Sequence, residues 1–200
     1  MKSLLIIFVK NPQLGKVKSR LAKSIGEGKA LIVYKKLLRK TRELVVDLEV
    51  DKLICYSNRI EHQDLYDNRS FQKAKQVGDN LGDKMYNSIQ QASINLYKKI
   101  CLIGSDNMEL TDEIIRNAFE YLNDYDIVIG PAKDGGYYLI GMKTPKNEIF
   151  DLSNWGTSSV LEETLKIIQD LGLKYILLPV LNDIDVAEDI SESDRDFLLS

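Results

Sequence analysis

The sequence predicts an α/β protein, three layers deep (α/β/α), built on a mainly parallel sheet with one antiparallel excursion. Three observations carry this expectation. The apolar runs at 3–9 and 100–103 are continuous rather than alternating, as in strands covered on both faces. Strand-like runs alternate along the chain with helical patterns, so successive strands need crossover connections. The exception is 131–135, between the runs at 126–130 and 136–142; it is too short to hold a helix, so one antiparallel pairing is expected there.

Taken in order, the first strand at 3–9 leads into a loop, 10–16, punctuated by Pro12 and Gly15. A short helix near 17–24 precedes a longer one at 29–48, with Leu31, Tyr34, Leu37, Leu38, Leu44, Val45 and Leu48 on one side. A strand at 52–56, a helix at 61–67 and a short strand at 73–77 follow. Residues 80–98 read as a helix with Leu81, Met85, Ile89, Ala92 and Leu96 inward. After the strand at 100–103, Thr111 opens a helix carrying Ile114, Ile115, Ala118, Phe119 and Leu122. The pair of strands at 126–130 and 136–142 leads into an irregular connection, 143–156. A helix at 158–171, a strand at 175–181 and a last helix at 187–198 complete the chain. With no repeat or linker, all 200 residues are expected to form a single domain, 1–200.

Composition narrows the function classes. The net charge of −3 offers no overall basic field, so nucleic acid is not expected as a partner. Charge is uneven, however: residues 1–42 carry twelve Lys/Arg and one acid, whereas 182–200 carry seven acids and one Arg. That asymmetry suits a phosphate cradle at one end and metal-binding acids at the other. Cys55 and Cys101 lie in apolar runs and read as buried thiols, and His62 has no companion for zinc. The apolar stretch at 4–9 is too short to span a bilayer, and no signal peptide is visible, so a cytoplasmic protein is expected.

Three stretches bear chemistry. In the loop Lys10-Asn-Pro-Gln-Leu-Gly-Lys-Val-Lys-Ser-Arg20, a Gly-containing turn precedes a helix start, with Lys16, Lys18 and Arg20 adding charge. Basic residues oppose the dipole at a helix N-terminus, so folding alone gives no reason for them, whereas bound phosphate does. Asp106 follows a central strand directly, where open α/β sheets bind ligands, and Asp183 or Asp185 follows the last one. Two such acids, with phosphates and water, suit a divalent cation. Alternation on extended backbone lets only one of Asp183 and Asp185 face it, and Asp185 has the rival role of helix cap. Gly130-Pro-Ala-Lys-Asp-Gly-Gly-Tyr-Tyr138 allows close ligand approach at Gly135 and Gly136, but Asp-Gly between strands is also a strong hairpin signal. Trp155 and Thr157 sit in the irregular connection, where an aromatic serves either as a ligand rim or as a plug over the core.

Together these segments, with Gln76-Val-Gly-Asp79, Trp155-Gly-Thr157 and Asp183-Ile-Asp185…Glu188-Asp189, resemble the DUF2064 family nearly end to end. Those proteins are glycosyltransferase-like relatives of the GT-A fold, or radical-SAM/selenodomain-associated transferases. The resemblance implies a nucleotide-diphospho-sugar-transferase-like fold with Mg²⁺ or Mn²⁺ at Asp106 and Asp185. It places Lys10, Pro12, Gly15, Lys18, Arg20 and Asp79 on the nucleotide. One departure stands out: where the family has Cys-Pro after Gly-Ser-Asp, this chain has Asn107-Met108.

The expected activity is therefore metal-dependent transfer from a nucleotide-sugar to a small-molecule acceptor, with the metal held at Asp106, together with Arg20, stabilising developing phosphate charge and Asp134 as acceptor base. The alternatives are nucleotidyl transfer from a nucleoside triphosphate to a phosphorylated acceptor, and nucleotide binding without turnover.

Overall fold

The computed structural model describes residues 2–199. Seven strands form one sheet: β1 (Ser3–Val9), β2 (Asp51–Tyr56), β3 (Gln72–Lys75), β4 (Lys99–Ile103), β5 (Ile127–Pro131), β6 (Tyr137–Met142) and β7 (Tyr175–Leu177). Their spatial order is β3-β2-β1-β4-β6-β5-β7. Only β6 runs against its neighbours, pairing antiparallel with both β4 and β5. The excursion expected at 131–135 is therefore present, and the remaining pairings are parallel.

Strand alternation divides the core between the two faces of the sheet. Leu5, Ile7 and Val9 of β1 face one way, against Tyr34, Leu38 and Val45 of helix α2 (Glu27–Val45) and Ile115 and Phe119 of helix α4 (Asp112–Tyr121). Leu4, Ile6 and Phe8 face the other way, against Met85, Ile89 and Ala92 of helix α3 (Leu81–Ile94) and Ile168 of helix α5 (Val160–Asp170). These are the three expected layers. A third apolar cluster joins Leu21 of helix α1 (Ser19–Ile25), Val33 and Leu37 of α2, and Leu198 of helix α6 (Glu192–Leu199). Cys55 and Cys101 are buried free thiols, and burial pushes Cys55 up to about 12, so it stays neutral at physiological pH.

Several expected elements are corrected. Residues 61–67 form no helix, because local side chains outbid the helical hydrogen bonds. Asp64 accepts from the Tyr66 amide at 3.0 Å, the Lys73 ammonium at 2.8 Å and the Tyr56 hydroxyl at 2.5 Å. Asp67 accepts from the amides of Arg69 and Ser70. Helix α3 stops at Ile94 rather than near 98: Leu96 turns left-handed (φ 67°) and the Tyr97 amide reaches back to the Ala92 carbonyl. Leu81 and Leu96, expected inward, are exposed. The short strand ends at Lys75, leaving Val77 exposed. The last strand closes at Leu177, two residues before Pro179, which has no amide for the ladder. The final helix starts only at Glu192, where the Ser191 hydroxyl accepts from the Asp194 amide.

Candidate functional site

From β1 the chain moves outward to β2 and β3 on one side, then crosses to β4 on the other. The strand order therefore reverses between β1 and β4, and their C-terminal ends open a crevice where α/β sheets place ligands. One wall is the loop 10–18 and the first turn of α1; the other is the turn after β4. A cleft of about 290 Å³ lies between them. Lys10, Lys16, Lys18 and Arg20 line it on the basic side, and Asp106 and Asp185 on the acidic side, with Tyr34 also on its surface.

Local chemistry fixes each group. Tyr34 rises from α2 to brace the loop: its hydroxyl accepts from the Lys10 amide at 2.7 Å, donates to the Lys10 carbonyl at 3.0 Å and lies 3.4 Å from the Ser105 hydroxyl. Burial, helped by the charge of Asp106, raises its pKa, so the phenol stays protonated. Asn11 staples the same loop to the chain after β2, accepting from the amides of Asn58 and Arg59 and donating to the Arg59 carbonyl.

Lys18 occupies the N-cap of α1 in the left-handed region, φ 49° and ψ 46°. Its side chain is only 3% exposed, and its ammonium lies 2.8 Å from Asp106 Oδ2 and 3.2 Å from Asp185 Oδ1. Burial works against this ammonium, but the charges and hydrogen bonds of Asp106 and then Asp185 outweigh it and raise its pKa. Arg20, 63% exposed, approaches Asp185 Oδ2 at 3.5 Å.

The acidic wall is held by residues to which sequence reasoning assigned no such role. Asn107, buried, accepts from the amides of Glu109 at 2.8 Å and Leu110 at 2.7 Å, forming the turn, and its amide group donates to Asp183 at 3.0 Å. The Ile184 amide donates to the Asp106 carbonyl at 2.9 Å, completing the junction between the two acid-bearing segments. Asp189 accepts from the amides of Asp185 and Val186, both at 2.8 Å, bracing the single 3-10 turn at Ala187–Asp189, and the last helix is capped by Ser191 rather than by Asp185. This leaves the Asp185 carboxylate to the cleft. Asp183, facing elsewhere, has its carboxyl pushed up to about 6 by burial, with Asp106 and Asp134 adding repulsion against the Asn107 hydrogen bond and the Lys18 charge.

Whether this set fits a divalent cation turns on one atom. Asp106 Oδ1 is buried with no hydrogen-bond partner among the described residues. A carboxylate with one committed and one unsatisfied oxygen is suited to a further cation. No three Asp, Glu, His or Cys side chains converge among the described residues. A cation at Asp106 and Asp185 would therefore draw its remaining oxygens from phosphate and water.

The other expected site residues do not line this cleft. Pro12 faces a neighbouring cavity of about 230 Å³ that shares Lys10. Gly15 sits in the loop close to Glu27. Asp79 is exposed at the start of α3, its amide donating to Asp83. Asp134, Gly135 and Gly136 form the tight turn between β5 and β6, where Asp134 accepts from the Gly136 amide at 2.9 Å. Gly135 lies hard against the Ser158 carbonyl, and Trp155 packs edge-on to Tyr137 at 6.2 Å and over Gly82. Thr157 is exposed and donates to the Asn154 carbonyl.

The DUF2064 model, described as an uncharacterized protein conserved in bacteria, matches residues 41–157. A Desulfovibrio desulfuricans G20 protein, provisionally described as a nucleotide-diphospho-sugar transferase, is 31% identical, with a TM-score of 0.85 over 98% of this chain and 91% of that one. The inositol-1-phosphate CTP transferase of T. maritima shares the fold at 12% identity, TM-score 0.58, over 98% and 95% of the two chains. So does a manganese complex of Rv0371c from Mycobacterium tuberculosis H37Rv, at 14% identity, TM-score 0.53, over 99% and 97%. No curated protein matches the chain. With 117 of its 200 residues inside that family model, the chain belongs to the DUF2064 family.

Proposed function

We propose that this protein is a metal-assisted transferase that takes its group from a nucleotide-sugar, with the diphosphate lying between the 10–20 loop and the Asp106 turn. One observation carries the reading: Lys10, Lys16, Lys18 and Arg20 converge with Asp106 and Asp185 on a single cleft at the strand-order reversal. Four cations there outnumber the two carboxylates beside a helix N-terminus, an excess that a further anion would offset. The provisional description of the 31%-identical Desulfovibrio protein supports the same donor class.

In this reading Lys10, Lys16 and Arg20 bind the phosphate oxygens and stabilise the charge that grows there as the bond to the sugar breaks. Asp106 and Asp185 would hold Mg²⁺ or Mn²⁺, which when bound neutralises the same oxygens; the manganese complex of the distant Rv0371c fold relative supports that ion class. Tyr34, held protonated, fixes the Lys10 backbone at the edge of the cleft. Pro12, Gly15 and Asp79 extend the nucleotide contacts. Gly135, Gly136, Trp155 and Thr157 form the acceptor side, and Asp134 takes the acceptor's proton.

The test is which bond breaks. With Mn²⁺, a panel of nucleotide-sugars and simple acceptors is followed by phosphorus NMR. Release of a nucleoside diphosphate is expected. Release of pyrophosphate from a nucleoside triphosphate and a sugar phosphate would instead make the protein a nucleotidyltransferase. Binding without any product would leave a nucleotide-binding module.

A further inference from the structure

Lys18 is not placed as a phosphate ligand ordinarily is. Its ammonium is withdrawn from solvent and stands between Asp106 and Asp185, in the position a cation would take. Holding it there requires a left-handed backbone at a residue with a long side chain, a conformation that is maintained only when the surroundings over-determine it. Yet Asp106 is only half satisfied, since its Oδ1 has no partner among the described residues.

We propose that Lys18 is a tethered counter-cation that makes divalent-metal binding at Asp106 and Asp185 conditional on a diphosphate. The proposal rests on the reading of the cleft as a diphosphate site and specifies its ligand as the metal–diphosphate complex, not the metal alone. The physical reason is charge. A divalent ion arriving alone meets an ammonium already between the carboxylates, and Arg20 lies 3.5 Å from the second of them. With Lys10 and Lys16 on the same cleft, four cations face two carboxylates before any ligand is present. A diphosphate reverses that balance. It gives the Lys18 ammonium a second anionic partner and lets it move off Asp106, and its own oxygens complete a coordination shell that two carboxylates cannot fill. The metal then enters with the diphosphate already bound or together with it.

The experiment compares the parent protein with Lys18→Met, which keeps most of the stem and removes the charge. Melting temperature and calorimetric titration are read with Mn²⁺ alone, inorganic pyrophosphate alone, and both. In the parent, pyrophosphate alone should raise the melting temperature, Mn²⁺ alone should leave it unchanged, and the two together should exceed pyrophosphate alone. In Lys18→Met, Mn²⁺ alone should stabilise the protein and bind about tenfold tighter than in the parent, because the competing like charge is gone. Should the variant fail to fold, the parent titrated with Mn²⁺ beside Asp106→Asn decides. Tight Mn²⁺ binding that Asp106→Asn abolishes overturns the proposal; equally weak binding in both upholds it. Equal Mn²⁺ affinity in the parent and Lys18→Met, beside a normal pyrophosphate response, overturns the role of Lys18 alone. A pyrophosphate response absent from every arm removes the diphosphate cleft itself, and this proposal with it.

Discussion

Replacing Asn107 with Ala should unfasten the acidic wall of the cleft, and the structure sets the magnitude. The side chain is buried and makes three hydrogen bonds, two received from the amides of Glu109 and Leu110 and one given to the Asp183 carboxylate. A buried amide left without its acceptor costs about 1–3 kcal/mol, and a hydrogen bond to a charged group contributes about 1.5–3 kcal/mol. Partial rehydration of the Glu109 amide lowers the sum, so a loss of about 3–5 kcal/mol is expected. Asn107→Asp separates the two roles: it keeps the acceptor for the turn but sets a second carboxylate against Asp183. Its loss should therefore shrink steeply as pH falls toward 5 and Asp183 protonates, and by more than the loss in Asn107→Ala, which gives up only a hydrogen bond to the charged form of Asp183. Urea unfolding at pH 5 and pH 7.5 gives both numbers. A loss below about 1 kcal/mol in Asn107→Ala would refute the argument that this residue holds the turn.

Other substitutions test neighbouring inferences. In Gly135→Ala the new Cβ would meet the Ser158 carbonyl at 2.1 Å with φ at +88°, so a loss of about 2–3 kcal/mol is expected; Gly104→Ala, with nothing within 4 Å, should be nearly neutral in the same urea assay. Asp183 has a folded pKa raised to about 6, so its favourable contribution is complete below about 3.8 and is lost as pH rises through 6. Asp183→Asn should therefore melt higher than the parent at pH 7.5 in metal-free buffer, by roughly 2–3 kcal/mol, with the gain vanishing near pH 4; no gain at pH 7.5 would contradict the burial argument. Trp155→Ala should lose about 3 kcal/mol while leaving the pyrophosphate-induced melting shift intact, since the indole packs on Tyr137 and Gly82 away from the cleft. Loss of that shift with stability kept would instead move the indole from the acceptor side to the rim of the diphosphate cleft.

The layers and the antiparallel excursion were legible because continuous apolar runs, helical periods and one short connection each have a single physical reading. Lys10, Lys18, Arg20 and Asp106 lie together because strand order brings the ends of β1 and β4 to one crevice, whereas Asp185 arrives from beyond the edge strand β7, through the segment that pairs Asp183 with Asn107 and Ile184 with Asp106. Less was visible wherever side chains compete with backbone. The turns built by Asp64 and Asp67 look helical by apolar spacing, and only their carboxylate hydrogen bonds decide otherwise. Helix α3 ends at a left-handed leucine, a position where glycine is the usual signal. The contact of Lys18 with both acids spans 88 and 167 residues of sequence, and no local pattern announces it. Asn107 was noticed only as a departure from the family motif, although a polar side chain directly after the Asp106 strand end is an Asx-turn signal in its own right.

The most direct measurement of the central claim is amide hydrogen exchange with and without a nucleotide-sugar and Mn²⁺. A diphosphate between the two walls should slow exchange in 10–20, 104–110 and 182–189 together, while amides around the separate cavity lined by Leu53, Cys55, Asn87 and Gln91 stay unchanged. Protection confined to that second cavity, or none in the 10–20 loop when binding is shown independently, would contradict the assignment of the cleft.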